Sequence, residues 1–546
     1  MAETKARFLA NLIGATSTDN DFTLPNVTVS GTNNKVLTSG GDGTVTWETP
    51  LTAPEFASMS GTVNEDDQTT LTINGGQFVA GMTVDVYNNS DTKLNTTSLS
   101  SNLVSGSQIT VDIPNNTSTN GFPIASGTVI YLKIIKSGLS VSTSTITVNA
   151  DPVWGSVSSP YVNVVKGATG NVGSALTAPT ISSGSGTITY SIATQPSDGV
   201  NKYSINSSRQ ISVDSTSNSS AGNLTSSASP KTDAIAVKAT GPGGATQASD
   251  LAVNIAVYQY PGNGGTGANY SDNSYRSHKF DYTGSNQTFT LYKATTVDIL
   301  VVAGGGGGGG GNNGNDGGGG GGAGGMMTFA SQSLSAGDYT IVVGQGGAGS
   351  TGQGYSTGAG ATGGNSRFGT LTEVYGGGGG GVPGNNAPSG TFGSGGGAGG
   401  SGGGPRAGGG STSGQGNDGA SNTDLRAGYS LSASGGGGKG SAGEAQTTAG
   451  VSRGSNGGSG ANNNYLTGAN ITYAGGGAGG GGTGGNPGQV PGGSGGSGGG
   501  GNGGANGGSN AEDATDGLGG GGGGGANNAT GGGDGGNGVV IIRYAI

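Results

Sequence analysis

The sequence contains no cysteine and only one histidine, His278. The first absence excludes disulfide bonds, thiolate catalysis and cysteine-based zinc sites, and the second argues against a Ser-His triad or a metal site with several histidine ligands. Charge is also scarce, since 9% of the residues are charged and the formal net charge is −10. The chain therefore lacks the basic surface that binding to nucleic acid or to an anionic membrane requires. No run of about 18 apolar residues is present, so we expect no membrane-spanning helix.

What the chain has in excess is glycine, which accounts for 130 of its 546 residues. Most of these glycines lie after residue 300, and they do not follow the every-third-residue period of collagen. The length predicts about three or four domains if each takes roughly 100 to 200 residues. Two structural regimes therefore share one chain, with the change near residue 300.

Residues 1–50 are predicted to be an attachment and oligomerisation segment. Lys5 and Arg7 ahead of a short apolar stretch resemble a weak signal peptide, but the stretch also fits a short amphipathic helix, whose apolar face is formed by Phe8, Leu9, Leu12 and Ile13. A helix this short would have to dock on a partner or on copies of itself. Two β-type runs follow, with Trp47 as their bulky anchor. The phrase "NKVLTSGGDGTVTWE" resembles short β segments in the shafts and attachment regions of phage tail fibres.

Residues 51–150 and 151–258 each carry short alternating strands at the spacing of a β-sandwich. In the first, Leu71, Ile73, Val84 and Val86 are predicted to point inward. The order "LTINGGQF", "TVDVYN", "ITVDIP" resembles immunoglobulin-like TIG domains, and "ITYSI", "YSIN", "ISVD", "IAVKAT" resembles cadherin-like or Ig-like modules of bacterial and phage surface proteins. Both resemblances imply spacer modules, and a linker is expected at 259–277.

From residue 278 onward, apolar strand-like phrases interrupt the glycine tracts, and the last of them, "GVVIIRYAI", ends the chain. A flexible linker has no reason to return repeatedly to buried-type strands. Glycine can adopt the threefold extended helix listed for polyproline II, and unlike proline it keeps its N–H group. We therefore predict a mainly β protein whose last domain, 278–546, has a small β base and packed polyglycine-II helices held by lateral backbone hydrogen bonds.

The order of phrases in this last domain, from "VDILVVAGGGGGGG" through "YTIVVGQGGAG" to "GVVIIRY", resembles the glycine-rich domain of phage tail and tail-fibre proteins. It is more loosely similar to the tip adhesins of T-even-like phages, which carry receptor-binding loops at the far end of a polyglycine sandwich. The attachment segment and the spacers favour a built-in tip over a separate tip protein.

Segments between outgoing and returning tracts are expected to form distal loops, which are common places for binding residues. Tyrosine and arginine are favoured anchors in recognition surfaces. The resulting candidates for receptor binding are Arg406, Leu425, Arg426, Tyr429, Arg453, Tyr465, Leu466 and Tyr473.

Together these features predict a non-enzymatic virion protein, without cofactor or bound metal, that attaches to other virion or tail proteins through its N-terminus. Its expected partner is a host surface glycan, lipopolysaccharide or outer-membrane protein, and nucleic acid is not expected. A homo-oligomer of three chains is expected, and the expected location is the virion surface, extracellular after lysis. One alternative is a purely structural virion decoration or bacterial surface filament. Another is a depolymerase using paired carboxylates from Asp424, Glu444, Glu512 and Asp513.

Overall fold

A computed structural model describes residues 36–39, 45–48 and most of 51–546. The gaps within the last range are residues 66–67, 115–123, 166–169, 182–186, 198–202, 214–229, 242–243, 245, 247–248, 314–315, 352–357, 401–402, 424–431, 447–452, 484–489, 508 and 528–529. The predicted N-terminal helix, with Phe8, Leu9, Leu12 and Ile13, lies outside the described residues. Strands β1 (Val36–Ser39) and β2 (Val45–Glu48) form an antiparallel pair, in which Leu37 lies opposite Trp47.

The described part of the chain is all β and contains no helix. No helix among these residues is long and apolar enough to cross a membrane.

The first sandwich contains a nine-stranded arrangement in the order β3-β5-β8-β7-β6-β9-β11-β4, with β10 beside β9. Its strands are β3 (Glu55–Ser60), β4 (Val63–Asn64), β5 (Thr69–Gly76), β6 (Thr83–Asn88), β7 (Leu99–Ser105), β8 (Gln108–Ile113), β9 (Val129–Lys136), β10 (Leu139–Ser142) and β11 (Ile146–Asn149). Alternation along β5 and β6 buries Leu71, Ile73, Val84 and Val86 completely, as predicted.

The second sandwich packs a four-stranded sheet, β12-β18-β17-β14, with a three-stranded sheet, β13-β16-β15. Its strands are β12 (Val162–Val165), β13 (Gly170–Val172), β14 (Thr189–Thr194), β15 (Tyr203–Ile205), β16 (Ile211–Val213), β17 (Lys231–Thr240) and β18 (Leu251–Tyr258). Val237, Val253 and Ile255 from the larger sheet meet Ile211 from the smaller one in the core. The two Ig-like sandwiches of the predicted fold are confirmed.

The base of the glycine-rich region consists of two sheets, β19-β22-β25-β26 and β20-β21-β29-β23-β24. The strands are β19 (Gly262–Asn263), β20 (Thr266–Asn269), β21 (Tyr275–Asp281), β22 (Gln287–Leu291), β23 (Thr295–Val302), β24 (Met326–Leu334), β25 (Gly337–Val342), β26 (Arg367–Phe368) and β29 (Val539–Ala545), with a separate hairpin of β27 (Ala461–Asn463) and β28 (Ile471–Tyr473). Along β23, Ile299 and Val301 join one apolar core, whereas Leu300 and Val302 join another. The larger sheet is thus buried on both faces, which explains the uninterrupted apolar runs of β23 and β29.

The predicted linker at 259–277 differs from the structure, because it contains β19, β20 and the start of β21. The glycines of this segment permit close packing against the base. A Cβ atom on Gly262 would lie 2.6 Å from the Phe289 ring, and Gly264 has a φ of +126°, where side chains are strained. The junction with the second sandwich is also packed, since the rings of Tyr258 and Tyr292 stack with centroids 3.4 Å apart.

Candidate functional site

The glycine tract that follows β23, residues 303–311, donates its N–H groups in a strict cycle of three. Gly304 and Gly307 donate to residues 364 and 361, whereas Gly306 and Gly309 donate to residues 322 and 319. Gly305, Gly308 and Gly311 donate to a third segment, at residues 536, 533 and 530. All of these bonds are 2.9–3.0 Å long. Because each partner segment recurs every third residue, the tract has threefold helical symmetry.

The carbonyl groups of the same tract follow the same cycle toward three other segments. They accept hydrogen bonds from residues 377 and 380, from 347 and 350, and from 522 and 525. The tract is therefore surrounded on six sides, by antiparallel segments that accept from it and parallel segments that donate to it. The following tract, 317–325, is also surrounded on six sides, but its neighbours are antiparallel except for residues 434–437, which run parallel and accept from Gly320 and Ala323. This is the polyglycine-II packing predicted for the domain, and we call it the glycine lattice.

The lattice excludes side chains at its centre. A Cβ atom on Gly305 would lie 1.8 Å from the carbonyl oxygen of Gly520, and one on Gly308 would lie 1.9 Å from that of Gly523. Glycines 304–309 do not have positive φ values. In these tracts, glycine is therefore required for close approach of backbones and not for a left-handed conformation.

At the periphery, side-chain oxygens replace a missing neighbouring tract. Asp534 and Asn537 accept from the N–H groups of Gly349 and Gly346, at 2.7 and 2.9 Å. The N–H groups of Asp534 and Asn537 in turn donate to the carboxylates of Asp513 and Asp516. Of these four residues only Asp513 was a sequence-predicted candidate, and as a catalytic carboxylate. The spacing of three within each pair is the signal that could have predicted the structural role.

The lattice has two ends. One is the β base. The other, which we call the distal end, lies beyond Gly311 and before Gly317, where the chain turns between the two central tracts. At about 3.1 Å per residue, a nine-residue tract separates the two ends by about 28 Å.

Two of the predicted receptor-binding residues lie at the distal end. The backbone of Arg406 pairs with Asn422 in both directions at 2.8 Å, close to Gly400, whose N–H group donates to Gly317. Arg453 lies two residues before Ser455, whose N–H group donates to Ala433. Ala433 donates in turn to Gly480, and Gly480 donates to Gly318, next to the distal turn. The structure therefore brings these two arginines to the same end of the lattice. Leu425, Arg426 and Tyr429 lie outside the described residues.

The two arginines differ in their surroundings. Arg406 is exposed. Arg453 donates to both carboxylate oxygens of Glu444, at 2.8 and 3.1 Å, and to the side chain of Asn456 at 3.0 Å. Both contacts with Glu444 come from Nη2, whereas Nη1 donates to Asn456, so two nitrogens of the guanidinium are held in place.

Three other predicted residues lie at the β base instead of the distal end, which corrects their expected position. Tyr473 is 1% exposed and belongs to the core that contains Leu300 and Ile541, and burial raises its pKa to about 12. Leu466 packs against the same core, and its carbonyl oxygen accepts from Ser277 at 2.7 Å. A buried tyrosine cannot present its ring to a receptor, so Tyr473 is a structural residue.

Tyr465 takes part in a clamp around Arg543. The guanidinium carbon of Arg543 lies 4.1 Å from the centre of the Tyr465 ring and 4.7 Å from that of Tyr275. Its Nε atom lies 3.0 Å from the carboxylate of Asp298. The hydroxyl of Tyr270 donates to the carbonyl oxygen of Tyr465 at 2.7 Å. These contacts fasten the β27–β28 hairpin to the base.

The carboxylates considered for a depolymerase are engaged in structural contacts where the structure describes them. Glu444 pairs with Arg453, Glu512 accepts from the side chain of Asn502 at 2.7 Å, and Asp513 accepts from the Asp534 N–H group. Asp424 lies outside the described residues. Among the described residues, no group of three His, Asp or Glu side chains is placed to hold a metal ion.

Solved structures that are similar to the chain include immunoglobulin domains and titin modules. They include titin A168169 (14% identity, TM-score 0.14), for which the match covers 38% of this chain and 100% of that one. The N-terminal four Ig domains of Dscam1 isoform 6.9 match with 9% identity and a TM-score of 0.19, over 46% of this chain and 63% of that one. Sidekick-1 immunoglobulin domains 1–4 match with 14% identity and a TM-score of 0.14, over 45% of this chain and 60% of that one. The chain thus spans less than two thirds of the Dscam1 and Sidekick-1 structures.

Comparison with curated protein sequences gives no match. Residues 283–545, which include both central tracts and most of the base, match the family model described as a glycine-rich domain.

Proposed function

We propose that this protein is a phage tail-fibre or virion-surface adhesin. In this proposal the N-terminal segment attaches to the particle, the two sandwiches are spacers, and the distal end of the glycine lattice binds a receptor on the host surface. The receptor is a glycan, lipopolysaccharide or outer-membrane protein.

The observation that carries the proposal is the position of Arg406 and Arg453. Both lie at the end of the lattice opposite the base, and the base is the part that joins the spacers through Tyr258 and Tyr292. The lattice between the two ends has almost no freedom to rearrange, because its central N–H and C=O groups are hydrogen-bonded on six sides. A rigid scaffold that displays arginines at its tip suits recognition, since anchors that are held in place lose little entropy on binding.

The test compares three forms of the full chain for binding to cells of a bacterial panel. The first is the natural chain, and the second has residues 424–431 replaced by a glycine-serine loop of equal length. The third is Arg406→Ala. We expect saturable binding by the natural chain that blocks adsorption of the phage. Both variants should bind more weakly while keeping the natural melting temperature.

A matched control places the same change at the base. Arg367→Ala removes an exposed arginine from β26, on the opposite end of the lattice, and should leave binding unchanged. If the natural chain is folded but neither binds cells nor competes with phage, the adhesin proposal fails. If the loop replacement and Arg406→Ala both bind as well as the natural chain, the distal end is not the receptor site.

The structural alternative, a virion decoration or bacterial surface filament, has one observation in its favour. The hydrogen bonding of the lattice by itself accounts for the glycine content, without any binding role. Particles that carry the replacement of residues 424–431 and adsorb normally, but fall apart more readily on heating, would favour this alternative.

A further inference from the structure

The outermost part of the lattice includes residues 344–350, which we call the edge tract. Its burial follows the threefold period: Gly344, Gly347 and Ser350 are buried, whereas Gln345 and Ala348 are exposed. The buried positions face the central tract, since Gly347 and Ser350 donate to Gly305 and Gly308. One direction of the edge tract therefore faces solvent.

The N–H groups of the edge tract point in three directions, and among the described residues two of these directions have acceptors. One set donates to the central tract. A second set, from Gly346 and Gly349, donates to the side chains of Asn537 and Asp534. The third set, from Gln345 and Ala348, donates to no group in the described part of the chain. Exposed N–H groups three residues apart thus remain open on this face.

These open donors belong to a groove of about 520 Å³. Residues 345–348 and 361–364 line the groove, and Asp534 completes its lining. The backbones of the two segments are held together by the bonds from Ala361 to Ala348 and from Gly364 to Gln345, at 2.8 and 2.7 Å. The floor of the groove is therefore rigid. Within the two backbone segments, the side chains are small except for those of Gln345 and Thr362. The Gln345 side chain is fixed by Tyr282, whose hydroxyl donates to it at 3.0 Å.

We propose that this groove binds an extended peptide segment in the threefold polyproline-II conformation, rich in glycine and proline, from a partner protein. The segment would occupy a vacant position of the lattice and accept hydrogen bonds from Gln345 and Ala348. This site is separate from the distal end and does not depend on the proposed adhesin function.

The spacing of the open donors selects the conformation of the peptide. Donors three residues apart in a threefold helix are about 9.3 Å apart, which matches the carbonyl repeat of another threefold chain. Carbonyl groups on one edge of a β-strand repeat every two residues, at about 6.8 Å, and would lose register after one bond. Proline is permitted in the peptide because the peptide uses only its carbonyl groups here, and proline lacks the N–H group but keeps the carbonyl.

Charge argues for a partner and against a second copy of this chain. The neighbouring outer surface carries the carboxylates of Asp513, Asp516 and Asp534, and the chain has a formal net charge of −10. Two such surfaces would repel each other, whereas a neutral or cationic peptide would not. The small side chains of Ala348 and Ala361 allow another backbone to approach the groove closely, and small residues in the peptide keep that approach open.

The experiment measures binding of a fluorescent peptide to the full chain by anisotropy at physiological salt. The peptide has about 12 residues of Gly-Pro-Gly repeat, roughly four turns of threefold helix, with lysine at both ends. The control peptide has the same length and charge but alternates threonine and valine. We expect the Gly-Pro peptide to bind and the control peptide not to bind. In ¹⁵N-alanine-labelled protein, the Ala348 amide signal should shift on binding.

Ala348→Pro removes one open donor while keeping a φ close to that of the threefold helix. It should weaken peptide binding about tenfold, the usual effect of losing one well-placed hydrogen bond partner. Ala348→Gly keeps the N–H group and should bind normally. The matched control is Ala442→Pro, at an exposed alanine elsewhere on the lattice whose N–H group likewise has no bond in the described chain.

The variants must show the natural melting temperature. Normal binding by Ala348→Gly would show that a change of side chain at this position does not by itself alter the fold of the groove. Equal binding of both peptides, or unchanged binding by Ala348→Pro, would overturn the proposal. If no peptide binds but the natural chain self-associates and Ala348→Pro abolishes this, the groove is an interface between copies, and the partner peptide is wrong.

Discussion

The carboxylate of Asp534 accepts a hydrogen bond from the backbone N–H group of Gly349 at 2.7 Å. Three residues later, Asn537 makes the same contact with Gly346. Each of these side chains takes the place that a carbonyl group of another glycine tract would occupy inside the lattice. The boundary of the lattice is therefore defined by Asp and Asn residues at a spacing of three.

Replacing Asp534 by alanine should lower the free energy of unfolding of the lattice by about 1 kcal/mol, because Gly349 would lose its partner at a site open to water. Asp534→Asn keeps an acceptor oxygen and should lose much less. Denaturant titration, together with amide exchange at Gly349, measures the effect. Equal loss by the alanine and asparagine variants would contradict the role of the side-chain oxygen.

Gly308→Ala tests the requirement for glycine in the central tract. The added methyl group would lie 1.9 Å from the carbonyl oxygen of Gly523, so neighbouring tracts must move apart and several hydrogen bonds must lengthen. We expect a loss of at least about 3 kcal/mol, at or beyond the upper end of ordinary overpacking. Gly410→Ala is the matched control, because Gly410 is exposed and an added Cβ would meet nothing within 4 Å. Thermal unfolding of both variants measures the difference, and equal melting temperatures would refute the lattice packing.

The sequence was sufficient to predict the sandwiches and the lattice, because alternation along strands such as β5 and the stereochemistry of glycine are local properties. It was not sufficient to predict which loops lie at the distal end. The segments around Arg453 and Tyr465 are both rich in asparagine and glycine, and only the pairing of tracts decides their positions. The linker prediction failed for a related reason. Glycines such as Gly262 serve close packing against Phe289, and the sequence does not distinguish this use from flexibility.

The buried histidine predicts a pH dependence of stability. Burial lowers the pKa of His278 to about 4, the hydrogen bond from Nδ1 to the Gly264 carbonyl opposes this shift, and the charge of Arg276 adds to it. Nε2 accepts from the Tyr544 hydroxyl at 2.9 Å. The unfolded chain binds a proton near pH 6.5, before the folded chain does. Stability contributed by neutral His278 is therefore complete above about pH 6.5 and is lost as the pH falls toward 4.

The difference of about two and a half pKa units corresponds to about 3 kcal/mol. His278→Gln can keep both hydrogen bonds without titrating, so its stability should fall less between pH 7 and pH 4 than that of the natural chain. Denaturant unfolding at several pH values measures both. Parallel pH profiles for the two proteins would show that His278 is not responsible.

The clamp around Arg543 separates a structural role for Tyr465 from a receptor-binding role. Tyr465→Ala removes one of the two rings against the guanidinium and should lower the stability of the base by about 1–2 kcal/mol. Tyr465→Phe keeps the ring and should be close to neutral. Arg543→Leu leaves the Asp298 carboxylate, whose side chain is 19% exposed, without its cation and should cost more than Tyr465→Ala. Susceptibility of the β27–β28 hairpin to limited proteolysis should follow the same order.

Binding of the folded Tyr465→Ala protein to host cells should equal that of the natural chain, because the ring lies at the base, about 28 Å from the distal end. Loss of cell binding by this variant without loss of stability would return Tyr465 to the receptor surface and would move the receptor site from the distal end to the base.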